Sequence, residues 1–291
     1  MVEAWYHPRD PSSGRLDRAG RSILVWVISH TELFSPVLFI GLALIVELGL
    51  RLREASSDID GERQSLLESA RDRLSVLLSF LLGFSLPMAL SHYEQRSQLV
   101  IDEANAISTT YQRAQMLSEP LRGTLIRSLV QYVDLRIEFS KESDERALLA
   151  SVDRAKELQN EMWQEVVLLA QQKPDAVTSL LAQSLGGLSD LIEQRLAAYE
   201  KRIPIEIWLV LLMISALTCF AVGYSMRRRH LLAMLVLPLT VAIVLSLVSE
   251  LDSPRTGLVR VGQQSLQRIQ SDLRADAGPH RWQDKGVTPE P

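Results

Sequence analysis

The stretch SFLLGFSLPMALSHYEQRSQLVIDEANAI, residues 79–107, begins as chain that dissolves in lipid and ends crowded with charge, with no Gly-Pro break between its halves. The apolar run of which it is part, Leu74–Ser91, falls within the ~17 to 25 residues that cross a hydrocarbon core as helix. The polar half keeps its helix-forming residues as far as Leu117. One helix from near Arg71 to Leu117 would extend roughly 70 Å, more than twice a bilayer core. A membrane span that protrudes as a stalk is therefore expected, bent by Pro87 near the membrane boundary.

Three further apolar runs lie outward from this one: Leu33–Leu50, with Pro36 tolerated in its first turn, Ile205–Tyr224, entered from Pro204, and Leu231–Ser249. The expected fold class is all-α, a polytopic membrane protein with four transmembrane helices and an extramembrane helical bundle between spans two and three. The organisation read from the chain is an N-terminal segment over 1–32, spans one and two over 33–91, the bundle over 92–203, spans three and four over 204–251, and a turn, short amphipathic helix and disordered tail over 252–291. Ile23–Ile28 is too short to span and follows an Arg-bearing start. It reads as an interfacial helix rather than a signal peptide, because no small-residue cleavage pattern follows closely.

Composition narrows the function classes. Of 291 residues 47% are hydrophobic and 23% charged, so the excess apolar residues are those concentrated in the four runs. Lys and Arg number 31 against 35 Asp and Glu, and the resulting net charge of −4 gives no footing for nucleic acid. Cys219 is the single cysteine, which excludes an intrachain disulfide or a cysteine-based zinc cluster. His7, His30, His92, His230 and His280 are scattered without ligand spacing, and no Gly-rich phosphate loop, HExxH or GxSxG occurs. No cofactor or metal is expected, and an enzyme is the weakest class. Asp102-Glu103 and Asp144-Glu145, each near arginines, read as solvated helix faces.

Orientation is read from basic residues in short loops. Arg227, Arg228 and Arg229 between spans three and four, and Arg51, Arg53, Arg71 and Arg73 between spans one and two, place both loops in the cytoplasm. The segment 92–203 and the C-terminal tail then lie on the other side. Arg9, Arg15, Arg18 and Arg21 pull the N-terminus toward the cytoplasm as well, against that assignment.

The bundle is expected to hold four helices. After the stalk, a second starts around Ser118-Glu119-Pro120 with Ile126, Val130, Val133 and Ile137 on one face. A third covers about Ser143 to Gln172 with Leu148, Val152, Ala155, Met162, Val166 and Leu169. A fourth begins at Pro174 and carries Leu181, Leu185, Leu188, Ile192 and Tyr199. Each apolar stripe needs a partner, and a helical bundle supplies one. Gly186 and Gly187 weaken the fourth helix and permit a bend or a close contact.

The second span carries the candidate site. Ser75, Ser79, Gly83, Pro87 and Ser91 recur every four residues, a stripe that suits close helix packing or a pore lining. Phe80, Phe84 and Met88 repeat at the same spacing beside it. Several such helices around an axis would make these a hydrophobic constriction, and facing lipid is the other reading.

Phe80-Leu81-Leu82-Gly83-Phe84, His92-Tyr93-Glu94-Gln95-Arg96 and Glu103-Ala104-Asn105-Ala106-Ile107 resemble the second-helix region of the bacterial bestrophin-like domain family of unknown function. Pro204 entering span three, the Arg227–Arg229 turn, and Leu251-Asp252-Ser253-Pro254-Arg255-Thr256-Gly257 after span four resemble its LD-x-P-x-x-G signature. The matches frame about residues 35 to 272. The family is similar to the bestrophins, pentameric anion channels with an apolar second helix lining the pore, and the resemblance implies Phe80, Phe84 and Met88 as a neck. Two departures stand beside it. Bestrophins keep the segment between spans two and three in the cytoplasm, whereas the arginines here place it outside. The family also has Asn about where this chain has Gly186.

Polar residues at the membrane ends complete the reading. Glu47, near the end of span one, is set to pair with Arg51 four residues on, with an ion site as the alternative. Glu250, Asp252 and Arg255 follow span four and are expected to meet His92, Tyr93, Glu94 and Arg96. Together these form either a collar of salt bridges or an ion-attracting vestibule. Asp252-Ser253-Pro254 suits a turn, and Leu258, Val261, Leu266 and Ile269 suggest a last amphipathic helix. The expected function is an oligomeric ion channel, selective for anions, in the inner membrane. The alternative is an anchored helical protein that binds an unknown protein partner without transport. The lipid bilayer and further copies of the chain are the expected partners.

Overall fold

The computed structural model describes residues 31–55, 61–139, 145–226, 229, 231–253 and 261–277, and within them every regular element is a helix. In chain order these are α1 (Thr31–Ala55), α2 (Gly61–Ala114), α3 (Leu121–Phe139), α4 (Glu145–Gln172), α5 (Ala176–Glu200), α6 (Ile205–Ser225), α7 (Leu231–Asp252) and α8 (Gln264–Ala277). The proposed interfacial helix at Ile23–Ile28 lies outside the described residues, as do Arg227, Arg228, Pro254, Arg255, Gly257 and Leu258. The chain divides into two compact units. One comprises residues 1–90 and 203–259, the other residues 91–202 and 260–291.

The first unit contains α1, α6, α7 and the opening part of α2. Among the described residues four helices, α1, α2, α6 and α7, are long and apolar enough to cross a membrane. Each carries apolar side chains outward as well as inward. On α1, Leu42, Val46 and Leu50 are buried while Val37, Ile40, Leu44 and Leu48 are exposed. On α7, Val241, Leu245 and Val248 are buried while Val236, Leu239, Ile243 and Leu247 are exposed. Helices apolar all round with their backbone groups satisfied internally suit a hydrocarbon solvent.

Packing in this unit is closest where α1 and α6 meet. A Cβ built on Gly49 would stand 2.5 Å from the Phe220 carbonyl oxygen and 2.9 Å from the Tyr224 nitrogen. One built on Gly223 would overlap the Val46 carbonyl. The two glycines therefore bring the backbones into direct contact, as small residues do between membrane helices. Phe34 and Trp208 meet edge to face at the other end, ring centres 5.8 Å apart.

The second unit is a helical bundle of α3, α4, α5, α8 and the remainder of α2. Val100, Ala104, Ile107, Leu129, Val133, Ala155, Met162, Leu181, Leu185 and Leu188 form one core. Of the stripes expected on α4 and α5, Val152, Ala155, Met162 and Val166, and Leu181, Leu185, Leu188 and Ile192, are buried, Leu169 and Tyr199 are half-buried, and the side chain of Leu148 lies outside the described residues. On α3 the buried face centres on Leu125, Leu129 and Tyr132, and Val130 sits at its margin. Asp175 caps α5 by accepting the Thr178 amide at 2.8 Å. Gly186 and Gly187 are not sites of close approach, since nothing stands within 4 Å of a Cβ at either. The last helix, α8, buries Leu266 and Leu273 in this core, and Asp134 on α3 accepts from Gln270 and Arg274.

Candidate functional site

Helix α2 runs unbroken through Pro87 and begins ten residues earlier than the expected Arg71. Within the first unit its Leu78, Ser85 and Ala89 are buried. Val76, Phe80, Gly83, Phe84 and Pro87 share an uncovered face, the three- and four-residue spacing of one helix side. Phe80 and Phe84 are 60% and 64% exposed, and their ring centres are 4.6 Å apart. Met88 is half-buried at the flank of this face. Among the described residues, the small-residue stripe shows no close packing at Ser79 or Gly83, and Ser75 is half-buried. Ser75 and Ser79 donate to the carbonyls of Arg71 and Ser75 of their own helix, and nothing lies within 4 Å of a Cβ at Gly83.

Within the second unit, α2 leaves Ser91, Glu94, Gln95, Gln98 and Ile101 exposed. Ser91, Tyr93, Glu94 and Gln98 line an open polar hollow of ≈650 Å³. His92 and Arg96, the other two residues expected at the membrane edge here, are buried on the covered side of the helix.

In the first unit, Asp252 ends α7 and turns its carboxylate to the start of α6. Both oxygens accept from the Ile203 amide, each at 3.1 Å. Glu250, two residues before it, is half-buried, and Arg255 lies outside the described residues. Glu47 accepts from Arg51 at 2.8 Å, the expected pair. It also accepts from Arg229 at 3.1 Å, a residue that reaches Glu54 at 3.6 Å as well. Arg229, between α6 and α7, is thus tied to α1, a contact that helix spacing alone does not reveal.

The bundle holds a charged cluster that contradicts the reading of Asp102-Glu103 as a solvated face. Glu103 is 0% exposed. Its Oε1 accepts from the Tyr132 hydroxyl at 2.5 Å and from Arg136 Nε at 2.7 Å, and its Oε2 accepts from Arg195 Nη1. Burial, and after it the Glu103 charge, raise the Tyr132 hydroxyl well above the usual tyrosine range, so it stays a phenol at neutral pH. Arg136 is held charged, Glu103 outweighing the opposing effect of burial. The missed signal was periodic. Glu103 falls on the stripe of Val100, Ile107 and Ala114, Arg136 on that of Leu129 and Val133, and Arg195 on that of Leu188 and Ile192. Among the described residues no group of His, Cys, Asp or Glu gathers to hold a metal ion.

None of the curated proteins matches the chain. A crystal structure of a bacterial Bestrophin homolog from Klebsiella pneumoniae is similar at TM-score 0.64 and 16% identity, over 86% of this chain and 99% of that one. A point variant of a membrane protein is similar at TM-score 0.63 and 15% identity, over 82% and 98%. At such identities the likeness carries the fold. The Bestrophin-like domain model matches residues 37–266, from the first turns of α1 to the first turn of α8. That range takes in nearly all of the four apolar helices and the bundle as far as the start of α8, and the chain belongs to the Bestrophin-like domain family.

Proposed function

We propose that the chain assembles with further copies of itself in the inner membrane as an ion channel for anions, with α2 facing the axis and no enzymatic role. The observation that carries this reading is the contacting pair Phe80 and Phe84, exposed and uncovered among the described residues. Repeated around an axis, the pair with Met88 at its flank forms a hydrophobic neck that gates by excluding water. Ser79 and Gly83 lie on the same uncovered face, where neighbouring copies of α2 approach closely. Glu94, Gln95 and Gln98 on the exposed side of α2 in the bundle provide a hydrated approach. The family placement and the fold support the channel class, because the bestrophins they resemble are the anion channels whose second helix lines the pore.

The test is anion flux into liposomes carrying the purified protein, compared with a Phe80→Ala, Phe84→Ala double variant at matched incorporation. Flux that rises in the variant supports a neck at these positions. Equal flux in both places the constriction elsewhere. No flux across pH, calcium and voltage returns the protein to a membrane-anchored bundle that binds a partner.

A further inference from the structure

Arg51 follows directly on the apolar run of α1, and Arg229 stands between the ends of α6 and α7. Their guanidiniums converge on one atom. Glu47 Oε1 accepts from Arg51 Nε at 2.8 Å and from Arg229 Nη2 at 3.1 Å. Both side chains are otherwise open, 69% and 55% exposed. Arg51 makes this bond through Nε, which leaves its two terminal nitrogens, a fork that matches two oxygens of a phosphate, for another acceptor. Among the described residues around this carboxylate, Arg51, Arg53 and Arg229 outnumber Glu47 and Glu54, so the patch is positive. Its neighbours are apolar and uncovered. Leu52 is 45% exposed, and Leu231 and Leu232, which open α7 just after Arg229, are 74% and 80% exposed. Exposed leucines beside exposed arginines suit the boundary between headgroups and hydrocarbon, where each meets its own solvent.

We propose that Arg51 and Arg229, positioned by Glu47, bind the phosphate of an anionic phospholipid whose acyl chains lie against Leu231 and Leu232. A soluble anion meets the arginines and leaves the leucines bare, whereas a phospholipid meets both. A zwitterionic headgroup would bring its own cation up to the guanidiniums, and an anionic one brings none. The inference rests on the apolar helices lying in a membrane, and it holds whether or not α2 lines a pore.

The experiment melts the intact protein in neutral detergent with dioctanoyl phosphatidylglycerol, with dioctanoyl phosphatidylcholine, or with inorganic phosphate, at equal ionic strength. Phosphatidylglycerol should raise the melting temperature by about 2–4 °C over phosphatidylcholine, and inorganic phosphate should leave it unchanged. An equal rise with both lipids overturns the proposal, since headgroup charge is then immaterial. An equal rise with inorganic phosphate overturns it in favour of a site for free anions. The Arg51→Gln, Arg229→Gln double variant should lose the rise, and Arg154→Gln, at an exposed position on α4, should keep it. A rise retained in the double variant, or lost in both, overturns the proposal. Where the double variant fails to fold, native mass spectrometry of the unsubstituted protein decides. Phosphatidylglycerol should stay bound at collision energies that strip phosphatidylcholine, and equal retention overturns the proposal.

Discussion

The carboxylate of Asp252, at the end of α7, takes the Ile203 amide between its two oxygens, each 3.1 Å away. Ile203 precedes Pro204, which lacks an amide, so this bond settles the last main-chain donor before α6 begins. Removing the carboxylate in Asp252→Ala strands a buried donor and should destabilise the protein by about 1–3 kcal/mol. Asp252→Asn keeps an acceptor oxygen and should recover most of the loss. Thermal unfolding of both variants in detergent distinguishes them, and equal losses would show that the side-chain charge rather than the bond is what matters.

Gly223 and Gly49 fix how closely α1 and α6 approach. In Gly223→Ala the new methyl group meets main chain, which has no rotamer to yield, and the helices must separate. A loss of about 1–3 kcal/mol is expected. Gly41 on α1 has nothing within 4 Å of a Cβ, and Gly41→Ala should be neutral or slightly stabilising. Melting temperatures of the two single variants check the contrast, and an equal response at both positions would remove the close contact from the account.

Glu103→Gln leaves two buried guanidiniums facing a neutral amide and should cost about 3–5 kcal/mol. Replacing Glu103, Arg136 and Arg195 together by apolar residues of similar volume should restore much of that stability. Denaturant unfolding of the single and triple variants tests this. A triple variant no more stable than Glu103→Gln would mean that the cluster contributes through its bonds and not through charge balance.

These three sites show what was readable along the chain and what was not. The spans were legible because an apolar run of that length suits a hydrocarbon core far better than a water-facing fold. The continuity of α2 from its apolar into its polar half was legible because no Gly-Pro cluster separates them, whereas its start at Gly61, ten residues before Arg71, was not. Glu103 was not, because a carboxylate next to Asp102 on a helix resembles any solvated face, and its partners Arg136 and Arg195 stand 33 and 92 positions away. The glycines that bring helices together were hidden for a different reason. Gly49 and Gly223 are isolated in their runs, whereas the repeating small residues of α2 lie toward a face left open among the described residues.

Asp175 gives a pH-dependent expectation. The Thr178 amide, followed by the Thr178 hydroxyl, holds its carboxyl below the ordinary range. A lowered native value means stability present above the unfolded pKa of about 3.9 and lost as pH falls through the native one. Asp175→Asn caps without a charge. The melting-temperature advantage of the unsubstituted protein over this variant should therefore be present at neutral pH and vanish toward strongly acidic pH. An advantage independent of pH would assign it to geometry alone.

The side of the membrane on which the bundle lies is open to direct labelling. In a Cys219→Ser background, Asn160→Cys and Arg228→Cys report on the bundle and on the α6–α7 connection. The basic loops predict that an impermeant thiol reagent added to intact cells modifies position 160 and spares 228. The reverse pattern would put the bundle in the cytoplasm, as in the bestrophins.

The sharing of Glu103 by Arg136 and Arg195 also bears on how this chain can diverge. A lineage that loses the carboxylate inherits two buried arginines without the group they share, and one that loses an arginine inherits a weakened anchor. Viable paths pass through joint replacement, so the three positions should drift as a linked set, keeping all the charges or abandoning them together.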